Sequence, residues 1–233
     1  MRIKYAEKER GVSEVLGFLL IIAAVFIVFT AFMTTIVPGI VSSNEAQHYE
    51  EVVGEVYSIK STLANALSLH LFPNQLYTTL SLGVQTFPVF IPPTEGQISI
   101  LPYNPSTNYL NISIPTSAGT QTVSGGLSFY VSLYDHEYPA EEVLFDNGII
   151  ATGHLSDPVP ELNVISNGTA SISGSSFTIV LFNDIGSSAS YTSAGAVGIS
   201  ILVTSISSNT YSASGTVKVT VLSPLGIFWA DYI

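Results

Sequence analysis

Between Val15 and Asn44 this chain carries no charged residue, and Val15 to Val37 (VLGFLLIIAAVFIVFTAFMTTIV) is almost entirely aliphatic or aromatic. At about 1.5 Å per helical residue such a run spans roughly 35 Å, enough to cross a bilayer core of about 30 Å. A helix that is apolar on every side finds no place on the surface of a water-soluble domain and needs lipid or other apolar helices around it. The sequence therefore predicts a membrane helix near the start of the chain.

Charge gives that helix a direction. Residues 1–10 hold four of the six basic residues, Arg2, Lys4, Lys8 and Arg10, with two acidic ones, whereas the remainder holds two basic residues (Lys60 and Lys218) and fifteen acidic ones. Lys and Arg beside a membrane helix stay on the cytoplasmic side. The short head is thus expected in the cytoplasm and everything beyond the helix outside it. An exported region so poor in Lys and Arg excludes a nucleic-acid partner, since phosphate binding needs clustered cations. With no cysteine, disulfides and thiolate metal sites are excluded too.

A secretory signal ordinarily places its apolar core before a small-residue cleavage site. Here, in KERGVSEVLGF, a basic residue and glycine precede the apolar run. This arrangement resembles the class III signal of type IV prepilins, and in particular that of archaeal pilins and archaellins. The resemblance implies that a prepilin peptidase cuts between Gly11 and Val12, with Arg10 completing the processing site, and that the helix is retained as membrane anchor and polymerisation core. Bacterial type IV pilins carry glutamate at the fifth mature position, whereas Glu14 would be the third. By analogy Glu14 offsets the new α-amine of Val12, in its own subunit or a neighbour, where an unpaired charge among apolar helices is costly. Leu16, Phe18, Leu19, Ile22, Phe26, Phe29 and Phe32 are then the assembly residues. The alternative is an uncleaved signal anchor on a single-pass surface protein.

Pro38 and Gly39 interrupt the run and predict a kink, because proline removes a helical hydrogen bond and clashes with the preceding turn. Beyond them Tyr49, Val52, Val53, Val56, Ile59, Leu63, Leu67 and Leu71 recur at spacings of three and four, the pattern of an amphipathic helix. Ser42, Ser43 or Asn44 is expected to cap its start, Glu45, Glu50 and Glu51 to favour its positive end, and Pro73 to stop it.

From about Leu76 the period changes to two. TTLSLGV, QISIL, YLNISI, LSFYVSLY, EEVLF, SFTIVLF, VGISILVTSI and SGTVKVTVL are β-branched or aromatic runs separated by Gly, Pro, Asn and Ser. Asn147-Gly148 and Asn167-Gly168 each predict a tight hairpin. The proline-rich stretch Phe87–Pro105 is expected to be an irregular edge or loop. The fold class expected is α+β: a long N-terminal hydrophobic helix kinked near Pro38-Gly39, then an antiparallel β-sandwich-like head. The divisions are a leader over 1–11, the membrane and assembly helix with its amphipathic extension over 12–72, and an extracellular head over 73–233. Archaeal pilins and archaellins pair such a helix with a β-sandwich head, so the resemblance spans the whole chain. The apolar tail PLGIFWADYI is expected to dock into the head's own core, the alternative being an interaction strip against a neighbouring subunit.

Candidate chemistry is sparse. Asp135, His136 and Glu137, with Asp146 and His154 beyond, form the only local cluster of ligand types, but neighbours on a strand point to opposite faces, so a solvated loop is the simpler expectation. His48 and His70 are too far apart to share a helical turn. No nucleophile elbow, phosphate loop or dinucleotide fingerprint occurs. The sequence thus predicts neither an enzyme nor a cofactor or metal site. Two sequons stand, at Asn111 and Asn167, while Asn104 is excluded by Pro105. The function implied is a structural subunit of an archaeal type IV pilus-like filament at the cell surface, possessing adhesive heads. Its partners are further copies of itself, the prepilin peptidase and pilus assembly machinery, and the bilayer before assembly. The alternative is a membrane-anchored extracellular binding module, such as a minor pilin, that builds no filament.

Overall fold

The computed structural model describes residues 3–69, 74–85, 91–155, 162–168, 171–173, 176–226 and 229, with backbone alone for 3–13, 74, 171 and 172. Helix α1 (Ile3–Ala31) passes through a single π-helical turn (Phe32–Ile36) into α2 (Val37–Ser68). Strands β1 (Asn74–Ser81), β2 (Glu95–Pro102), β3 (Tyr109–Thr116), β4 (Gly119–Gly125) and β5 (Leu127–Tyr134) follow. Next come β6 (Glu142–Asp146), β7 (Ile149–Gly153), β8 (Leu162–Ser166) and the three-residue strands β9 (Ser171–Ser173) and β10 (Ser176–Thr178). The last are β11 (Ala189–Ser193), β12 (Ala196–Val203) and β13 (Lys218–Leu222). The chain is α+β, one long apolar helix and then an antiparallel sheet-rich head.

The irregularity expected at Pro38-Gly39 lies one turn earlier and does not end the helix. Pro38 has no N–H to offer the carbonyl four residues back, and its ring crowds that turn. The ladder responds by widening: the Val37 N–H bonds to Phe32 O, a five-residue step. Thr34 Oγ donates to Thr30 O at 2.9 Å, which occupies a carbonyl in the same turn. Because the helix runs on, Ser42, Ser43 and Asn44 lie inside it and cap nothing. The expected stop at Pro73, with His70 and Leu71, lies outside the described residues.

The head is built in three layers. A six-stranded sheet of order β11-β2-β5-β6-β7-β8 forms the middle. On one face, α2 and the two-stranded ribbon β1-β12 cover a core of Val52, Val56, Ile59, Leu80, Val131, Val143, Phe145 and Ile150. The other face meets the three-stranded sheet β13-β3-β4 across Leu110, Ile112, Leu144, Ile149 and Ala151. Strand alternation explains how β6 and β7 serve both cores: Val143 and Phe145 point one way and Leu144 the other. The sandwich expected from the sequence is this second pair of layers, with the helix added as a third.

Asn147-Gly148 forms the two-residue turn between β6 and β7, with φ of 47° and 95° and Asp146 opposite Ile149. Asn167-Gly168 does not form a hairpin. β8 pairs back to β7, and β9 pairs with β10 instead. Glycine is needed at 168 for space, since a Cβ there would lie 2.9 Å from Ile149 Cγ1. The stretch Phe87–Pro105 is also corrected. Residues 86–90 lie outside the described ones, and β2 is an interior strand bonded to β11 on one side and β5 on the other.

Asp146, 1% exposed at the end of β6, ties the head together. Its Oδ1 accepts from Ser128 Oγ at 2.8 Å and Asn147 Nδ2 at 2.9 Å; its Oδ2 accepts from Ser223 Oγ at 2.6 Å and Trp229 Nε1 at 3.0 Å. A buried carboxylate is tolerable only when its lone pairs are so filled. Trp229, 1% exposed, and Leu225, fully buried, dock the described part of the tail into the second core. Residues 227, 228 and 230–233 lie outside the described ones. Trp229→Ala is expected to remove about 3–5 kcal/mol of stability, measured by chemical denaturation of the full chain.

Candidate assembly site

The long helix changes character at Val37. Before it, Val15, Leu16, Phe18, Leu19, Phe26, Ile27 and Phe29 are each more than half exposed, and the most apolar 18-residue window buries none of its residues. Of the other assembly candidates, Phe32 is exposed and Ile22 half-buried. Glu14 is exposed at the head of this run. Arg10, Gly11 and Val12 are helical in backbone, and their side chains lie outside the described ones. From Val37 onward the inward face closes against the head: Val37, Val41, Tyr49, Val52, Val56, Ile59 and Leu63 are buried.

Polar residues of α2 fasten that face, and the sequence does not announce their role. Glu45 is fully buried. Its Oε1 accepts the N–H of His136, and its Oε2 those of Glu137 and Tyr138, each at 2.9 Å. Three backbone donors converging on one carboxylate are what make a buried charge affordable. Glu45 thus does not favour a helix start; it grips the turn between β5 and β6. One turn on, His48 Nε2 lies 3.0 Å from Ser81 O, and Glu55 takes Ser81's N–H at 2.6 Å and hydroxyl at 2.8 Å. Further along, Tyr57 donates to Ile165 O, and the Lys60 ammonium to Ser166 Oγ and Asn167 O. Burial lowers the Lys60 pKa. Tyr49 is pushed up to about 12, chiefly by burial. The helix is therefore fixed to the head by five polar side chains along α2.

The Asp-His-Glu triplet opens the turn whose His136, Glu137 and Tyr138 N–H groups cradle Glu45, and it gathers no metal site. His136 Nε2 meets Pro92 O at 3.2 Å, and both oxygens of Asp135 are buried without a hydrogen-bond partner. His154 is exposed and Asp146 belongs to the head's interior network. Among the described residues no group of three or more His, Cys, Asp and Glu is placed to hold a metal ion. Of the sequons, Asn167 is exposed, whereas Asn111 is half-buried in the middle strand of its sheet with Oδ1 shut from solvent.

Asp135 is raised to about 6, first by burial and then by the Glu45 charge, with His136 opposing. In the unfolded chain it titrates near 3.8, so between those values the folded state holds a proton that the unfolded state lacks. Stability must then fall as pH rises from 3.8 through about 6 and level off above. Asp135→Asn is expected to flatten this part of the profile and to raise stability at pH 7, read from denaturation midpoints across pH. Glu45→Leu strands three backbone donors and is expected to cost about 3 kcal/mol, with Glu45→Gln intermediate. Faster amide exchange at residues 136–138 is the matching local readout.

No protein-family model, curated protein or solved structure matches this chain.

Proposed function

We propose that this chain is a structural subunit of an archaeal type IV pilus-like surface filament, polymerising through its N-terminal helix. The observation that carries the reading is the division of one continuous helix at Val37. Its second half is bolted to the head by buried side chains, and Val15–Ile36 before it, apolar all round, is covered by no other described part of the chain. Two environments can cover such a surface, and they fit two stages of one life cycle. Lipid surrounds it in the precursor, with residues 1–10 in the cytoplasm and the head outside. Neighbouring copies replace lipid in the fibre, where close van der Waals contact takes over from the bilayer.

The processing site supplies the change of stage. Cleavage after Gly11 removes the charged head and leaves Val12 as a new N-terminus two residues before Glu14. In a bundle of apolar helices Glu14 then offsets the α-amine of an adjacent copy and sets register between subunits. The heads form the outer sheath and are free to adhere. The same anatomy serves a membrane-anchored binding module if the helix never leaves the bilayer.

N-terminal sequencing of the mature protein, combined with Gly11→Trp, tests the proposal. Val12 is expected as the first residue of the mature chain, and the variant is expected to accumulate with Met1 intact and to yield no fibres. Normal fibres from Gly11→Trp would overturn the processing step, and a mature protein that begins at Met1 would overturn the filament reading.

A further inference from the structure

The ribbon of β1 and β12 has two long edges; α2 holds the β1 edge at Ser81, and among the described residues no strand or helix bonds to the β12 edge. In an antiparallel pair, successive residues turn their backbone groups alternately toward the partner strand and away from it. Ser81 sets the phase: its N–H goes to Glu55 and its carbonyl to His48, both on α2, so it faces away from β12. The next residue, Leu82, donates back to Gly195 O at 3.1 Å. Counting in twos through the register, Leu80, Thr78 and Leu76 exchange bonds with Val197, Ile199 and Ile201. The groups left on the outer edge of β12 are the N–H and C=O of Gly198, Ser200 and Leu202.

That edge has the features of a surface awaiting a strand. β12 is eight residues long, carries no charge and no proline, and keeps register with β1 throughout. Its inward side chains Val197, Ile199 and Ile201 pack on the main core but stay half-buried, with no strand beyond them among the described residues. Three neighbouring edges are guarded in part, whereas the outer edges of β4 and β11, also free of charge and proline, are shorter. α2 seals Ser81 on the β1 side, Tyr57 and Lys60 take carbonyls at the end of β8, and β13 begins with Lys218. A long, uncharged, unguarded edge is what natural sheets otherwise avoid.

We propose that the open edge of β12 is a strand-addition surface for a second copy of this chain. The occupant must be an extended strand, because only a strand repeats donors and acceptors at the spacing of the edge. A second copy is favoured by charge. Each chain carries a net charge of −11, and like-charged copies can approach closely only through neutral surfaces; residues 185–217 contain no Asp, Glu, Lys, Arg or His. The inference rests on the filament reading, in which copies stand side by side. In a polar fibre the contact is head-to-tail, β12 of one copy meeting a different edge of the next.

Because the chain has no cysteine, Leu202→Cys in the full-length protein gives a single point for a short photoreactive label. Illumination of assembled fibres is expected to yield a crosslink from residue 202 to a strand peptide of a second copy. Ser200→Pro removes one outward N–H and leaves the β1 ladder intact, and Ser200→Lys keeps the N–H but adds charge; each is expected to abolish that crosslink. Should the proline variant fold poorly, the lysine variant decides. Fibres that give no such crosslink, or a crosslink undiminished by Ser200→Lys, would overturn the proposal. If the wild-type chain builds no fibre, the filament reading has failed, and the crosslink in detergent-solubilised full-length protein then decides the edge alone.

Discussion

A helix with no polar side cannot stand in water, and the rest of this molecule is organised around where that condition begins and ends. From Val15 through Ile36 the helix offers only apolar or small side chains outward, each a surface whose exposure to water is unfavourable by about 25 cal/mol per Å². From Val37 the same rod becomes one layer of a folded head. The transition needs no loop; it is made by a widened helical turn at Phe32–Ile36, placed there by the missing N–H of Pro38. One helix with an exposed apolar half and a half built into the head is the physical fact on which the proposed anchoring and assembly rest.

Such a rod is useful only if the head cannot swing on it, and the fastening is polar as well as apolar. Glu45 sits about 12 Å along the axis from Val37, at roughly 1.5 Å per residue, and takes three backbone N–H groups from the turn after β5. His48 and Glu55 take the end of β1, and Tyr57 and Lys60 take the end of β8. Directional bonds on several sides fix rotation about the helix axis, which a greasy stripe alone would leave loose. Asp146 performs the same service inside the head, joining β5, the β6-β7 turn and Trp229.

What could be read from the sequence was local. The apolar run, the register of Val52, Val56, Ile59 and Leu63, and the Asn147-Gly148 turn all depend on neighbours within a few residues. β4 and β11 escaped because most of their side chains face solvent, so no apolar alternation marks them. Asn167-Gly168 carries the same turn chemistry as Asn147-Gly148, yet tertiary pairing of β8 with β7 overrides it. Glu45 was read as a helix-end charge because its true partners lie 91 to 93 residues away. A glutamate in the inward register of an amphipathic helix, between Val41 and Tyr49, was the one available signal. The open edge of β12 is not legible for the same reason: it depends on which described strands pair with β12, not on its own residues.

In the proposed life cycle the helix before Val37 is covered by lipid in one state and by copies of itself in another. Electron cryomicroscopy of cell-surface fibres tests it most directly. Fibres of this chain are expected in which residues 14–36 of neighbouring copies pack together along the axis, with the heads outside. Fibres whose axis is built from other segments, or a chain found only as a bilayer-embedded monomer, would contradict it.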